Sequence, residues 1–127
     1  MSARKILVVE DETAIRDMLV FSLGRAGYEV LGAGTAQEAR SAIANSHPDV
    51  ILMDWMLPDV SGLELTRQLK REPETREIPV IMVTAKGRPE DMAMARSLGA
   101  VEYITKPWAE GDVELRVDWA LATTQAS

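Results

Sequence analysis

The feature that most limits what this chain can fold into is an alternation: short, almost purely apolar runs recur along it, separated by longer stretches whose apolar residues repeat with a helical period. Lys5 to Val9, Val50 to Met53 and Val80 to Val83 are continuous runs of the kind that a strand buried on both faces requires, and Glu29 to Leu31 and Val101 to Thr105 are weaker versions. Between them, Ile15, Met18, Leu19 and Leu23 keep the helical spacing, and the segments Thr35 to Glu38 and Ser61 to Glu64 have the form of capping boxes that open two further helices. Pro89 suits the first turn of a fourth helix running to about Leu98, with Gly99 as its stop; Val113, Val117, Ala120 and Leu121 give a fifth helix its inward face. Five βα units in a row predict an α/β fold, a parallel sheet wrapped by helices.

A length of 127 residues fits one domain with one core and no second domain. With 46% hydrophobic and 27% charged residues the composition is that of a globular protein, and only the tail Ala122 to Ser127 lacks a structural pattern. The formal charge of −6 argues against direct nucleic-acid binding, which needs clustered Lys and Arg. The chain has no cysteine, which excludes disulfides, a thiol nucleophile and a thiolate zinc site and agrees with a reducing cytoplasm. The apolar stretch from Ile6 ends at Glu10, too short for a signal peptide, and no run reaches the ~20 residues of a membrane span.

Polar residues gather where the strands stop: Glu10 and Asp11 after the first, Asp54 after the third, Thr84 after the fourth and Lys106 after the fifth. In an open parallel sheet the ligand crevice lies beyond the carboxyl ends of the strands, so these residues are expected to converge. Three carboxylates brought together repel one another unless a cation sits among them, and a site with oxygen donors and no His or Cys favours magnesium. With a hydroxyl from Thr84 and a fixed cation from Lys106, the set contains the parts of phosphoryl transfer, and Asp54, alone at the end of the central strand, is the candidate nucleophile.

The segments ILVVEDE (Ile6 to Glu12), DWMLPDVSG (Asp54 to Gly62), VTAKG (Val83 to Gly87) and YITKPW (Tyr103 to Trp108) resemble, in order and spacing, the signature blocks of the response-regulator receiver domain, a CheY-like family, and within it the PhoB/OmpR-type branch. The resemblance extends to about Trp108. It implies a flavodoxin-like, doubly wound sheet of order 2-1-3-4-5 flanked by five helices. It implies further that Asp54 is the phosphoacceptor and that magnesium is held by Asp11, Asp54 and the backbone carbonyl of Met56, with Glu10 acting through a water. Lys106, the Thr84 hydroxyl and the backbone N–H of Ala85 would take phosphoryl oxygens, Tyr103 would turn inward as a switch aromatic, and the Lys106–Pro107 peptide would be cis. By the same resemblance, Met56 and Lys86 would be the variable positions that tune dephosphorylation. The implied partners are a sensor histidine kinase and either a second copy of the chain or a downstream effector, with no membrane. The domain would catalyse only its own phosphorylation and dephosphorylation.

Singly, each of these residues has an ordinary explanation. Glu10 and Asp11 would suit any helix N-terminus, Thr84 any strand end and Lys106 any solvated turn; only the set points to chemistry. His47 reads as an exposed loop residue, Met18, Met53, Met82 and Met94 as core fillers, and Gly32 with Gly34 lacks the third glycine of a dinucleotide fingerprint. On the face formed by the fourth helix, fifth strand and fifth helix, the charge code of the PhoB branch is eroded. Met92 and Val101 replace charged residues, Leu115, Asp118 and Trp119 stand where small or basic residues are common, and Glu102 with Arg116 is expected to preserve one pair. Exposed apolar groups there are expected to mark a partner face, the alternative being ordinary edge packing and snorkelling. The rival function is a magnesium-dependent phosphatase of the haloacid-dehalogenase type, but its second aspartate, two residues after the nucleophile, is Met56 here. A chain of this kind is either a stand-alone receiver or the first part of a longer regulator.

Overall fold

The apolar runs pair as expected. The computed structural model describes residues 3 to 85 and 87 to 125, so Lys86 lies outside the described residues. The elements are β1 (Lys5–Val9), α1 (Thr13–Arg25), β2 (Glu29–Ala33), α2 (Ala36–Ser46), β3 (Val50–Asp54), α3 (Gly62–Arg71), β4 (Val80–Thr84), α4 (Pro89–Ser97), β5 (Glu102–Thr105) and α5 (Asp112–Gln125). All strand pairs are parallel, in the order β2-β1-β3-β4-β5, with the edge strands β2 and β5 being those whose sequence signal is weakest.

Side chains alternate across the sheet and divide the core in two. Leu7, Val9, Ile51, Met53, Val80 and Met82 pack with Ala39, Ile43, Leu65, Leu69 and Ala95 beneath α2, α3 and α4. Ile6, Val8, Leu52, Ile81, Val83 and Ile104 pack with Leu19, Leu23, Val113, Val117 and Leu121 beneath α1 and α5. Two of the four methionines expected in the core are there, Met53 and Met82, but Met18 and Met94 are about half exposed, at 50% and 49%. Each stands one residue from its helix's inward position: Leu19 and Leu23 carry the buried stripe of α1, and Asp91 and Ala95 that of α4.

The helix starts follow the sequence signals only in part. Thr35 Oγ1 accepts from Glu38 N–H (3.0 Å) and Ser61 Oγ from Glu64 N–H (3.1 Å), as a capping box requires. The return half of each box is missing, because Glu38 accepts instead from Gly34 N–H (2.7 Å) and Glu64 is engaged by Arg67 and Gln68. Those bonds hold the Glu64 carboxyl down at about 2. Pro89 opens α4, and Gly99, with φ of 118°, follows its C-cap. The tail expected to lack structure is helical through Gln125, with Thr123 Oγ1 donating to the Trp119 carbonyl at 2.8 Å; Ala126 and Ser127 lie outside the described residues.

One close approach fixes the segment after β3. Gly62 N–H donates to the Trp55 carbonyl (2.8 Å), and a Cβ on Gly62 would lie 1.9 Å from the Asp54 carbonyl oxygen and 2.9 Å from Met53 Cγ. No side chain fits there without moving the backbone that carries Asp54. Gly62→Ala is therefore expected to lower the unfolding free energy by about 2–3 kcal/mol in urea titrations, the upper part of the overpacking range.

Candidate functional site

Strand register brings the polar residues together. Val9 pairs with Met53, Asp54 with Val83, and Thr84 with Thr105, so that Glu10, Asp54, Thr84 and Lys106 stand at or just past the ends of adjacent strands. They lie at the point where the order reverses, β2 to one side of β1 and β3 to the other. Glu10, Asp54 and Thr84 are buried while Asp11 is exposed at the rim. One carboxylate oxygen from each of Glu10, Asp11 and Asp54 lies within 4.8 Å of the others.

Lys106 closes the cluster. Its Nζ donates to Glu10 Oε1 at 2.6 Å and to Asp54 Oδ2 at 3.2 Å, and its backbone N–H donates to the Thr84 carbonyl at 2.8 Å. Burial pushes the Glu10 carboxyl above the ordinary carboxylate range, against the pull of the Lys106 hydrogen bond. Burial alone would lower the Lys106 ammonium, but the hydrogen bond to Glu10 and the Asp54 charge outweigh it and hold it above its usual value. The three carboxylates and one ammonium carry a formal charge of −2 (three negative, one positive), which a divalent cation would neutralise. All side-chain donors are oxygens, the chemistry of a hard ion such as magnesium.

The neighbouring backbone is fixed as well. Met56 N–H donates to Asp54 Oδ1 (3.2 Å) and Glu12 N–H to Glu10 Oε2 (3.1 Å), the Met56 side chain is exposed, Ala85 directly follows β4, and the Lys106–Pro107 peptide is cis. Tyr103 is buried on the α2–α4 side of the sheet, where burial and the Asp91 charge lift its phenol above the usual value. Beside Lys106, Ile15, Met18, Pro107 and Trp108 line an apolar groove.

These observations fit one comparison. The family model described as the response regulator receiver domain matches residues 6–118. The chain belongs to that family. It is 44% identical over 124 residues to the phosphate regulon transcriptional regulatory protein PhoB of Pseudomonas aeruginosa, covering 98% of this chain and 54% of that protein. Against PhoB of Escherichia coli the identity is 44% over 115 residues, 91% of this chain and 50% of the relative. The chain thus spans about half the length of the curated relatives it matches. The crystal structure of a CheY-like response regulator receiver domain protein from Methanospirillum hungatei superposes with a TM-score of 0.90 at 33% identity, over 98% of each chain. Receiver domains act in two-component signalling and are not enzymes of the ordinary kind. Among the described residues no helix is long and apolar enough to cross a membrane.

On the receiver's distal face Leu115, Trp119 and Val101 are exposed. Met92, expected among them, is half-buried and packs against the core cluster that holds Tyr103. The expected pairing of Glu102 with Arg116 is made within the chain, at 3.0 Å, and Arg116 also reaches the Tyr103 carbonyl at 3.2 Å. Sequence reasoning does not single out two residues beside the site. Asp59 accepts from Ala36 N–H (2.9 Å) and Gln37 N–H (3.0 Å), which holds its carboxyl below the usual range and ties the segment after Asp54 to the start of α2. Arg16 donates to the Glu10 main chain. The signals for them were an aspartate in a turn and two unexplained glycines, Gly32 and Gly34.

The charge balance has consequences of opposite sign. In metal-free buffer, Asp54→Asn removes a crowded negative charge while leaving Lys106 paired with Glu10, and is expected to raise stability by on the order of 1 kcal/mol. Lys106→Met leaves two facing carboxylates and is expected to cost about 2 kcal/mol, less than a fully buried pair because the ammonium side chain is 17% exposed. Urea denaturation with EDTA checks both.

Proposed function

We propose that this receiver is a phosphorylation-operated switch in which Asp54 accepts a phosphoryl group from a phosphohistidine of a sensor kinase. The observation that carries the reading is the Asp54 carboxylate held in a buried cluster with the Glu10 and Asp11 carboxylates and the Lys106 ammonium. An Asp54 carboxylate oxygen attacks phosphorus, an O–P bond forms, and the P–N bond to the donor imidazole breaks with its electron pair going to nitrogen. Asp11, Asp54 and the Met56 carbonyl, with Glu10 through a water, would hold magnesium, whose charge offsets that of the transferring phosphoryl oxygens. Lys106 supports the same oxygens as a fixed cation, and the Thr84 hydroxyl and Ala85 N–H donate to them. Hydrolysis of the acyl phosphate returns the domain to its starting state, so its chemistry is confined to itself. A phosphatase acting on separate substrates is disfavoured by the family and by Met56 standing in place of a second aspartate.

The apolar groove of Ile15, Met18, Pro107 and Trp108 opens beside Lys106, where a donor protein has to pack to bring its histidine to Asp54. Once phosphorylated, Thr84 and Tyr103 shift the populations of two arrangements of the α4–β5–α5 face. That face carries Val101, Glu102, Leu115, Arg116 and Trp119, with Met92 beneath it, and would engage a second copy of the chain or a downstream effector. The relatives of twice the length are named transcriptional regulators, so control of transcription is the output we propose where such a domain follows. With a formal charge of −6 this domain would not itself contact DNA. The 127 residues act as one receiver domain, and we place it in the cytoplasm with its kinase partner's catalytic part.

Incubation with acetyl phosphate and magnesium, read by intact-mass spectrometry, is expected to add one phosphoryl group to the wild-type chain and none with EDTA or in Asp54→Asn. An adduct that persists in Asp54→Asn, or rapid turnover of phosphate esters without an adduct, would overturn the reading.

A further inference from the structure

The turn that carries Glu10 and Asp11 needs an anchor that the sheet does not supply. Pairing of β1 ends at Val9, and of the Glu10 peptide groups only the N–H continues the ladder, donating to the Ala33 carbonyl at 2.9 Å. The Glu10 carbonyl is met instead by Arg16, one turn into α1, whose Nη1 donates to it at 2.7 Å. This is a charge-assisted bond at the short end of its range. Nη2 of the same guanidinium lies 3.5 Å from Thr13 Oγ1.

The path of the Arg16 side chain accounts for the two glycines. A Cβ on Gly32 would lie 3.1 Å from Arg16 Cδ and 3.4 Å from Cγ, and one on Gly34 would lie 3.0 Å from Nη1. Neither glycine has a positive φ, so the backbone does not require glycine at these positions. What a side chain there would meet is the arginine, which would have to shift to make room.

We propose that Arg16 is a positioning residue for the acidic site: threaded across Gly32 and Gly34, it fixes the Glu10 main chain so that the Glu10 and Asp11 carboxylates converge on Asp54. The inference rests on the magnesium-site reading above. Asp11 then sits between two tethered residues, Glu10 held by Arg16 and Ala33, and Glu12 held through its N–H to Glu10 Oε2 at 3.1 Å. Unlike Lys106, which takes Glu10 Oε1 and Asp54 Oδ2, Arg16 bonds a carbonyl and itself takes none of the carboxylate oxygens. Outer groups that orient metal ligands typically change affinity by about 10 to 100-fold when removed, and one acting through the main chain belongs at the lower end.

The test is a magnesium chloride titration followed by amide chemical shifts, with amide hydrogen exchange measured in metal-free buffer. Arg16→Ala and Gly32→Val, whose side chain fills the arginine's path in an edge strand, are each expected to raise the magnesium Kd about tenfold. Both are expected to speed exchange at the Glu10 amide without metal. The double variant is expected to be no worse than either single one, because both remove the same contact. Arg16→Lys, which can still donate to the Glu10 carbonyl, is expected to recover most of the affinity, and the core variant Ile43→Val to keep the wild-type Kd. A wild-type Kd in Arg16→Ala, or effects of the two single variants that multiply, would overturn the role of Arg16 while leaving the site itself standing. A wild-type chain with no saturable shift would overturn both.

Discussion

Two buried carboxylates from neighbouring strands are tolerable in this protein because one ammonium lies between them. Lys106 bonds Glu10 and Asp54 at once, and without it the carboxyl ends of β1 and β3 would present like charges in a poorly solvated crevice. Its placement follows from the sheet. β5 pairs with β4 so that Thr105 faces Thr84, and the next residue is carried back over the ends of the strands to reach β1. The hydrophobic pattern that builds the sheet therefore also sets the distances within the acidic cluster.

That arrangement makes plain why so much was legible from the sequence. Buried parallel strands must be apolar on both faces, so a charged residue such as Asp54 at the end of VILM can only be at the strand's mouth. The same holds for Glu10 after KILVV and Thr84 at the end of VIMVT. Helix starts were readable from Thr35, Ser61 and Pro89 because capping is local chemistry.

What the sequence hid was decided by long-range contact. Met18 and Met94 are exposed because a weakly amphipathic helix is rotated by what it packs on, and Met92 is drawn toward the core for the same reason. Asp59 and Arg16 act on backbone groups 23 and 6 residues away, and no spacing rule announces a side chain that bonds main chain across a fold. Gly32 and Gly34 make no dinucleotide motif, and the side chain that passes over them, Arg16, comes from another element. Arg116, which bonds Glu102, Asp112 and the Tyr103 carbonyl, ties the distal face to the strand that also delivers Lys106.

In the proposed switch the Asp54 carboxylate, out of three in one cluster, carries the phosphoryl group. Reduction of the acetyl phosphate-treated chain with borohydride converts an aspartyl phosphate to homoserine, and peptide mapping then locates it. Homoserine is expected at position 54 alone, and only when magnesium was present during phosphorylation. Homoserine at position 11, or a stable phosphate on a hydroxyl side chain with Asp54 unmodified, would contradict it.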